Sequence, residues 1–361
     1  MAMAAQCTVR WFDDLGLQDR PSVGGKGASL GELLRAGAAI PPGCVVSTTA
    51  FELFLRSVDS DGRIRRRIEA LVGKDSVVIQ RACASIRQEL ERAALPPGVE
   101  AEIAAAYEKL GGGAERRPVA VRSSATSEDH LDASFAGLQD TFLWIRGVGD
   151  VIASIKRCWS SLYSVESVTY RLRLGLPEDE VAMAVVVQEM VDARCAGVMF
   201  TRSPLTGDKS VIAIEAAWGL GSAVVSGEVT PDRYVINKIT GEIVQRTVSH
   251  KTVQHIPDSA GGMVVEVALN EDQRDAPCLS DDEVRELATV AKGIERHYGQ
   301  PQDIEWAIDR RAKGSAAILL LQARPETVWS AQDRDKKPRI GPAANPMEHV
   351  LRTLTDRSGR R

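Results

Sequence analysis

Apolar residues recur at helical spacing in several stretches of the chain. Leu30, Leu33 and Leu34 follow Val23-Gly-Gly-Lys-Gly27, so the pattern predicts a glycine loop opening a helix. Phe51, Phe54 and Leu55 follow Ser47-Thr48-Thr49, which offers a helix cap after the break at Pro41-Pro42-Gly43. Residues 63–110 read as helices interrupted at Gly73 and at Pro96-Pro97-Gly98. Ile152, Ile155, Trp159, Leu162 and Tyr163 predict one helix over about 150–172. Ser280-Asp-Asp-Glu283 is a capping box ahead of an inward face of Val284, Leu287, Ala288, Ala291 and Ile294. Continuous apolar runs predict strands at 10–12, 119–121, 181–191, 196–201, 211–216, 303–309 and 316–323. The stretch 234–245 predicts a hairpin turning at Thr240-Gly241.

The pattern ends near Trp329. Residues 331–361 carry eight Lys or Arg against four Asp or Glu, and few apolar residues. They predict a mobile basic tail, either a frayed end or a docking segment for another chain. A length of 361 residues allows two or three domains or lobes. The net charge of −4 argues against a general nucleic-acid binder. No apolar run is long enough to span a bilayer, no signal-peptide pattern opens the chain, and the cytoplasm is the expected location. Six cysteines lack Cys-x-x-Cys or zinc spacing and are expected reduced and mostly buried. The five histidines, His130, His250, His255, His297 and His349, are read as structural or surface residues.

Candidate chemistry begins at Pro118-Val-Ala-Val-Arg-Ser-Ser-Ala-Thr126. An apolar strand ends in Arg122 and hydroxyl or small residues, which suits a polyphosphate: a fork of donors with room for backbone N–H groups. Gly137 and Thr141 downstream offer a backbone and a hydroxyl contact, or an ordinary hairpin turn with a strand threonine. Lys26 sits at a predicted helix N-terminus that would favour an anion, although the loop lacks Walker A spacing and also reads as a tight turn. Gln188, Glu189 and Val191 end an apolar strand against which an adenine could lie. Glu305 and Gln322 number symmetrically about Lys313-Gly314, so a hairpin would set them opposite each other, with Arg324 on the same face as Gln322. A carboxylate and an amide oxygen suit Mg²⁺, and the arginine suits the phosphates it bridges. The plain alternative is a cross-strand Glu–Arg ion pair. Glu215-Ala-Ala-Trp-Gly-Leu-Gly-Ser222 reads as a mobile glycine-rich loop near the nucleotide, and Arg202 as a phosphate contact or a strand cap.

The chain resembles the nucleotide-binding domain shared by phosphoenolpyruvate synthase, pyruvate phosphate dikinase and rifampin phosphotransferase. The likeness rests on Gly24-Gly-Lys-Gly-Ala-Ser29, Val121-Arg-Ser-Ser-Ala-Thr126, Ala133-Ser-Phe-Ala-Gly137, Gly197-Val-Met-Phe-Thr201, Asp303-Ile-Glu-Trp306 and Gln322-Ala-Arg-Pro-Glu-Thr327. It implies an α+β ATP-grasp fold of two lobes closing on ATP, here 1–187 and 188–330, followed by the tail 331–361. It implies ATP and Mg²⁺ as ligands. Lys26, Arg122, Gly137, Thr141 and Gln188 would then bind nucleotide, with Glu189 and Val191 at the adenine. Glu305 and Gln322 would hold metal, and Arg122, Glu305 and Arg324 would serve catalysis. Members of that family continue into a domain with a phosphoryl-accepting histidine. The chain also resembles the small subunit of split, phenylphosphate synthase-type relatives. By that likeness it would pass the β-phosphoryl of ATP to a histidine on a separate subunit, giving AMP and phosphate, for phosphorylation of a phenol-like alcohol. The alternatives are the ATP-binding domain of phosphoenolpyruvate synthase or rifampin phosphotransferase, and a non-catalytic nucleotide sensor.

Overall fold

The computed structural model describes residues 7–111, 117–126, 140–178, 181–258 and 264–330. The chain up to Pro325 forms one compact unit, and a second begins at Glu326 and is described as far as Ser330.

Strand β1 (Val9–Trp11) leads through two 3-10 turns into helix α1 (Arg20–Arg35). Strand β2 (Gly43–Val46) precedes four helices: α2 (Thr48–Val58), α3 (Arg63–Glu69), α4 (Ser76–Arg92) and α5 (Pro97–Gly111). Then come β3 (Val119–Ala125), β4 (Thr141–Ile145), α6 (Val148–Ser161), α7 (Val165–Leu174) and β5 (Met183–Glu189). These five strands form an antiparallel sheet in the order β1-β2-β5-β3-β4. Next follow β6 (Ala193–Phe200), β7 (Val211–Trp218), α8 (Ser222–Val225), β8 (Asp232–Asn237) and β9 (Ile243–Thr247). Strands β10 (Val253–Pro257) and β11 (Val264–Ala268) form a separate two-stranded sheet. The chain continues with α9 (Glu271–Arg274), α10 (Asp281–Tyr298), β12 (Gln302–Asp309) and β13 (Ile318–Pro325). A second antiparallel sheet runs β13-β12-β6-β7-β8-β9. Antiparallel sheets with helices gathered beside them agree with the α+β expectation.

Alternation along β5 explains why its sequence is apolar throughout. Val185 and Val187 enter a core with Phe51, Phe54, Ile86, Ile103 and Trp159 from the helices on one face. Ala184 and Val186 enter a second core on the other face, with Val23, Leu30 and Leu33 of α1. That second core also takes Met199, Ile214, Trp306 and Leu320 from the six-stranded sheet. Helix α1 therefore lies in a core that both sheets share. Helix α10 covers the six-stranded sheet through the five inward residues expected, and its Ser280–Glu283 capping box is formed.

The expected helix over 150–172 is two helices. Ser164 ends the run because its hydroxyl accepts the Ser167 N–H at 3.1 Å and caps α7. Five of the six free cysteines are buried, and burial pushes the Cys44 and Cys195 thiols up to about 12. Asp232 and Lys251 are a fully buried ion pair. The Asp232 carboxylate also accepts the Ser249 and Cys278 N–H groups, which offsets its desolvation and fixes the approach to β10. Among the described residues, no helix is long and apolar enough to cross a membrane.

Candidate functional site

Strands β12 and β13 pair with Glu305 opposite Gln322, the register expected from their spacing about the turn. The ladder then slips: Trp306 pairs with Leu320, and Leu321 is left as an extra residue in β13. Such a bulge frees a backbone carbonyl from the ladder. Arg122, from β3 of the other sheet, takes it: Nη1 donates to the Leu321 carbonyl at 3.0 Å. Its Nη2 donates to Glu305 Oε2 at 2.9 Å and to Gln322 Oε1 at 2.6 Å. One planar guanidinium therefore joins three oxygens across the two sheets, a task that suits arginine's fixed fork. The Arg122 side chain is 12% exposed and that of Glu305 32%, so the pair is partly desolvated and open on one side.

Arg324 stands apart from this junction. It pairs across the ladder with Asp303, its Nε 3.4 Å from the carboxylate, and is more than half exposed. The guanidinium meeting Glu305 and Gln322 is that of Arg122, in place of the Arg324 convergence expected from spacing. Thr141 sits opposite Arg122 on β4. Gly137 lies outside the described residues, as do His130, His349 and the tail 331–361.

The glycine loop reaches the same end of β3. Helix α1 spans the loop, kinked where Gly24 adopts φ 71°. A Cβ at Gly24 would lie 2.1 Å from the Ser124 carbonyl oxygen, so only glycine fits. The Ser124 hydroxyl donates to the Val23 carbonyl at 2.9 Å and accepts the Gly27 N–H at 3.2 Å. Lys26 is thereby held beside β3, two residues along from Arg122. On the other side, the Ser29 hydroxyl donates to the Ala323 carbonyl at 2.5 Å, next to Gln322. Helix α1 is thus fastened to two of the three strands that bear the cluster, β3 and β13. Ser123 and Ser124, which follow Arg122 in β3, are buried, their hydroxyls donating to the Asp140 carbonyl at 3.1 Å and to the Val23 carbonyl.

At the other end of β5 two prolines shape the backbone. The Glu189 N–H donates to the Pro42 carbonyl and the Met190 N–H to the Pro118 carbonyl, both at 2.9 Å. Proline has no N–H to return. The Glu189 and Met190 carbonyls therefore receive no bond from these neighbours. The edge continues to Val191, whose carbonyl accepts the Ala193 N–H at 2.9 Å. The Gln188 side chain is buried and donates to the Pro41 carbonyl at 3.2 Å, while the Glu189 carboxylate pairs with Arg117 at 2.8 Å.

Two further readings change with the structure. Arg202 is buried, and its Nε donates to the Gly207 carbonyl at 2.7 Å, the strand-capping alternative. The glycine-rich stretch after β7 contains α8 and is bound to β10, the Leu220 N–H donating to the His255 carbonyl at 2.9 Å. Sequence reasoning missed Ser124 as the anchor of the glycine loop, the Leu321 bulge and the paired prolines. Only the prolines carry a local signal, because a proline at a hydrogen-bonded position of a ladder has no N–H to give its partner's carbonyl.

The donor set fits a hard cation. Two oxygens, one anionic, converge on a single cationic nitrogen, and oxygen ligands of this kind suit magnesium.

Residues 20–343 match the family described as pyruvate phosphate dikinase, AMP/ATP-binding domain. Among curated proteins, a probable phosphoenolpyruvate synthase of Staphylothermus marinus is 41% identical over 91% of this chain and 42% of its own length. The phosphoenolpyruvate synthase of Aeropyrum pernix is 40% identical over 91% of this chain and 43% of its own. That of Pyrococcus furiosus is 38% identical, with 88% and 44% covered. The chain spans less than half the length of these relatives.

Proposed function

The chain belongs to the pyruvate phosphate dikinase AMP/ATP-binding domain family, and on that premise we propose that it binds ATP with Mg²⁺ and carries out the ATP-dependent half of a dikinase reaction. The observation that carries this reading is the Arg122–Glu305–Gln322 junction. With nucleotide bound, Arg122 turns its fork from the two side-chain oxygens to the polyphosphate. Glu305 and Gln322 then hold the metal, which offsets charge on the phosphate oxygens when bound. Lys26, at the start of the straight part of α1, adds a positive charge and helix N–H groups. Thr141 adds a hydroxyl opposite Arg122, Gly137 a backbone contact, and Arg324 a second guanidinium at the outer edge. Adenine lies along Glu189–Val191, bonded by the carbonyl that Pro42 leaves open and by the Val191 N–H. Gln188 supports that edge through Pro41 and does not face the base. The two sheets act as the lobes of an ATP-grasp, divided near residue 187, that close on the nucleotide.

The described residues of this site position and neutralise, and none of them acts as the nucleophile. The β-phosphoryl passes to a histidine outside residues 7–330, AMP leaves, and water takes the terminal phosphoryl as phosphate. The curated relatives favour the reading as the ATP-binding part of a phosphoenolpyruvate synthase, with pyruvate as final acceptor. A phenol-like acceptor and a separate histidine-bearing subunit have less support, since the relatives carry the match within longer single chains. The retained carboxylate, amide and guanidinium weigh against a nucleotide sensor.

The test is label transfer. ATP labelled at the β- or γ-phosphorus is mixed with the protein and extract of its host. Acid-labile label on protein from the β position alone is the expected result. Label from the γ position alone would indicate an ordinary kinase.

A further inference from the structure

Strands β10 and β11 place His255 directly opposite Glu266, so both side chains rise from one face of the pair. Glu228, just past α8, reaches the same point. One ligand atom from each of Glu228, His255 and Glu266 lies within 4.8 Å of the others. His255 Nε2 is 2.8 Å from Glu228 Oε2, and its Nδ1 is 2.8 Å from the Ser222 hydroxyl. The imidazole is 14% exposed, and both carboxylates are exposed. The Glu266 carboxylate makes no hydrogen bond or close ion pair among the described residues. The arrangement is built by the glycine-rich loop. Gly219 adopts φ 75°, and a Cβ there would lie 2.3 Å from the His255 carbonyl oxygen. The loop can therefore lie on β10 and deliver Ser222 and Glu228 to the two ends of one imidazole.

We propose that Glu228, His255 and Glu266 form a binding site for a divalent cation of the zinc class, which pins the glycine-rich loop to the β10–β11 pair. An imidazole nitrogen with two carboxylate oxygens is a donor set that zinc accepts, with a fourth position open. Two atoms each about 2.0–2.2 Å from zinc stand about 3.3–3.6 Å apart at the tetrahedral angle and about 2.8–3.1 Å apart at a right angle. The Glu228–His255 separation of 2.8 Å lies at the short end of that range, so a cation entering between the two atoms opens them by only a few tenths of an ångström. Charge points the same way. Two carboxylates around a protonated imidazole leave one negative charge uncompensated within the cluster, whereas a dication on a neutral imidazole leaves none. Ser222, accepting from Nδ1–H, is the outer partner that turns the Nε2 lone pair toward the carboxylates. The site shares no residue with the Arg122–Glu305–Gln322 junction, and nitrogen ligation separates its preference from that of magnesium.

The test is calorimetric titration of chelator-treated full chain with zinc chloride, without nucleotide. A Cys7→Ser background removes the one exposed thiol. One zinc per chain should bind, and His255→Ala and Glu266→Gln should each weaken binding by about tenfold or more. Ser222→Ala, which touches no metal, should weaken it by about tenfold. Glu266 is exposed, so its variant tests the site without disturbing the loop, and thermal unfolding of each metal-free variant verifies its fold. Equal zinc affinity in the Glu266→Gln variant overturns the proposal. So does an absence of binding at about 100 μM zinc; the cluster is then an ion pair only.

Discussion

Arg122 carries more of the proposed chemistry than any other side chain described. Its guanidinium serves three acceptors on the opposite sheet while only 12% exposed. A lysine there keeps the charge but cannot span two side-chain oxygens and a carbonyl in one plane. Arg122→Lys should therefore lower ATP-dependent turnover by about a hundredfold, the scale of losing one positioned donor. It should also cost about 1–3 kcal/mol in urea unfolding, because charged hydrogen bonds are lost. Wild-type turnover in that variant would remove Arg122 from the site. Arg122, Glu305 and Gln322 were legible in the sequence, since an arginine at a strand end and a symmetric Glu–Gln pair are local patterns. Their mutual contact was not. It joins residues 183 and 200 positions apart through a bulge that no spacing rule announces.

At the scale of elements, α1 and the β12–β13 hairpin set the geometry. The kink at Gly24 lets α1 press on Ser124 while Ser29 holds Ala323. Gly24→Ala forces both a left-handed alanine and a clash with the Ser124 carbonyl. It should cost about 1–3 kcal/mol for the backbone strain alone. Nucleotide affinity should fall with it, read by calorimetry on the fraction that remains folded. Unchanged ATP affinity would separate the glycine loop from the nucleotide. Most helices and buried strands were readable, because a 3.6-residue or continuous apolar pattern follows from burial on one or both faces. Strands β10 and β11 were not. Both are half-exposed, with Gln254, His255 and Glu266 in place of a clean alternation, and they pair with each other outside the two larger sheets. The same polar character is what gives that pair its candidate metal ligands.

For the molecule as a whole, one core holds α1 against both sheets, and one polar junction crosses between them. The junction is the natural seat for a ligand that must touch both. A nucleotide there would exchange the Arg122 contacts for contacts to phosphate and metal, so binding and the arrangement of the sheets become linked. The family was readable from ordered motifs, whereas the exchange depends on three dimensions.

The most direct measurement is the dependence of ATP affinity on Mg²⁺ in the wild type and in Glu305→Ala, by calorimetry with and without the metal. The account predicts that Mg²⁺ tightens ATP binding to the wild type by about tenfold or more, as expected for a charge-assisted contact worth 1.5–3 kcal/mol. It predicts that this gain is lost in Glu305→Ala while metal-free binding persists. The same Mg²⁺ gain in both proteins would contradict it.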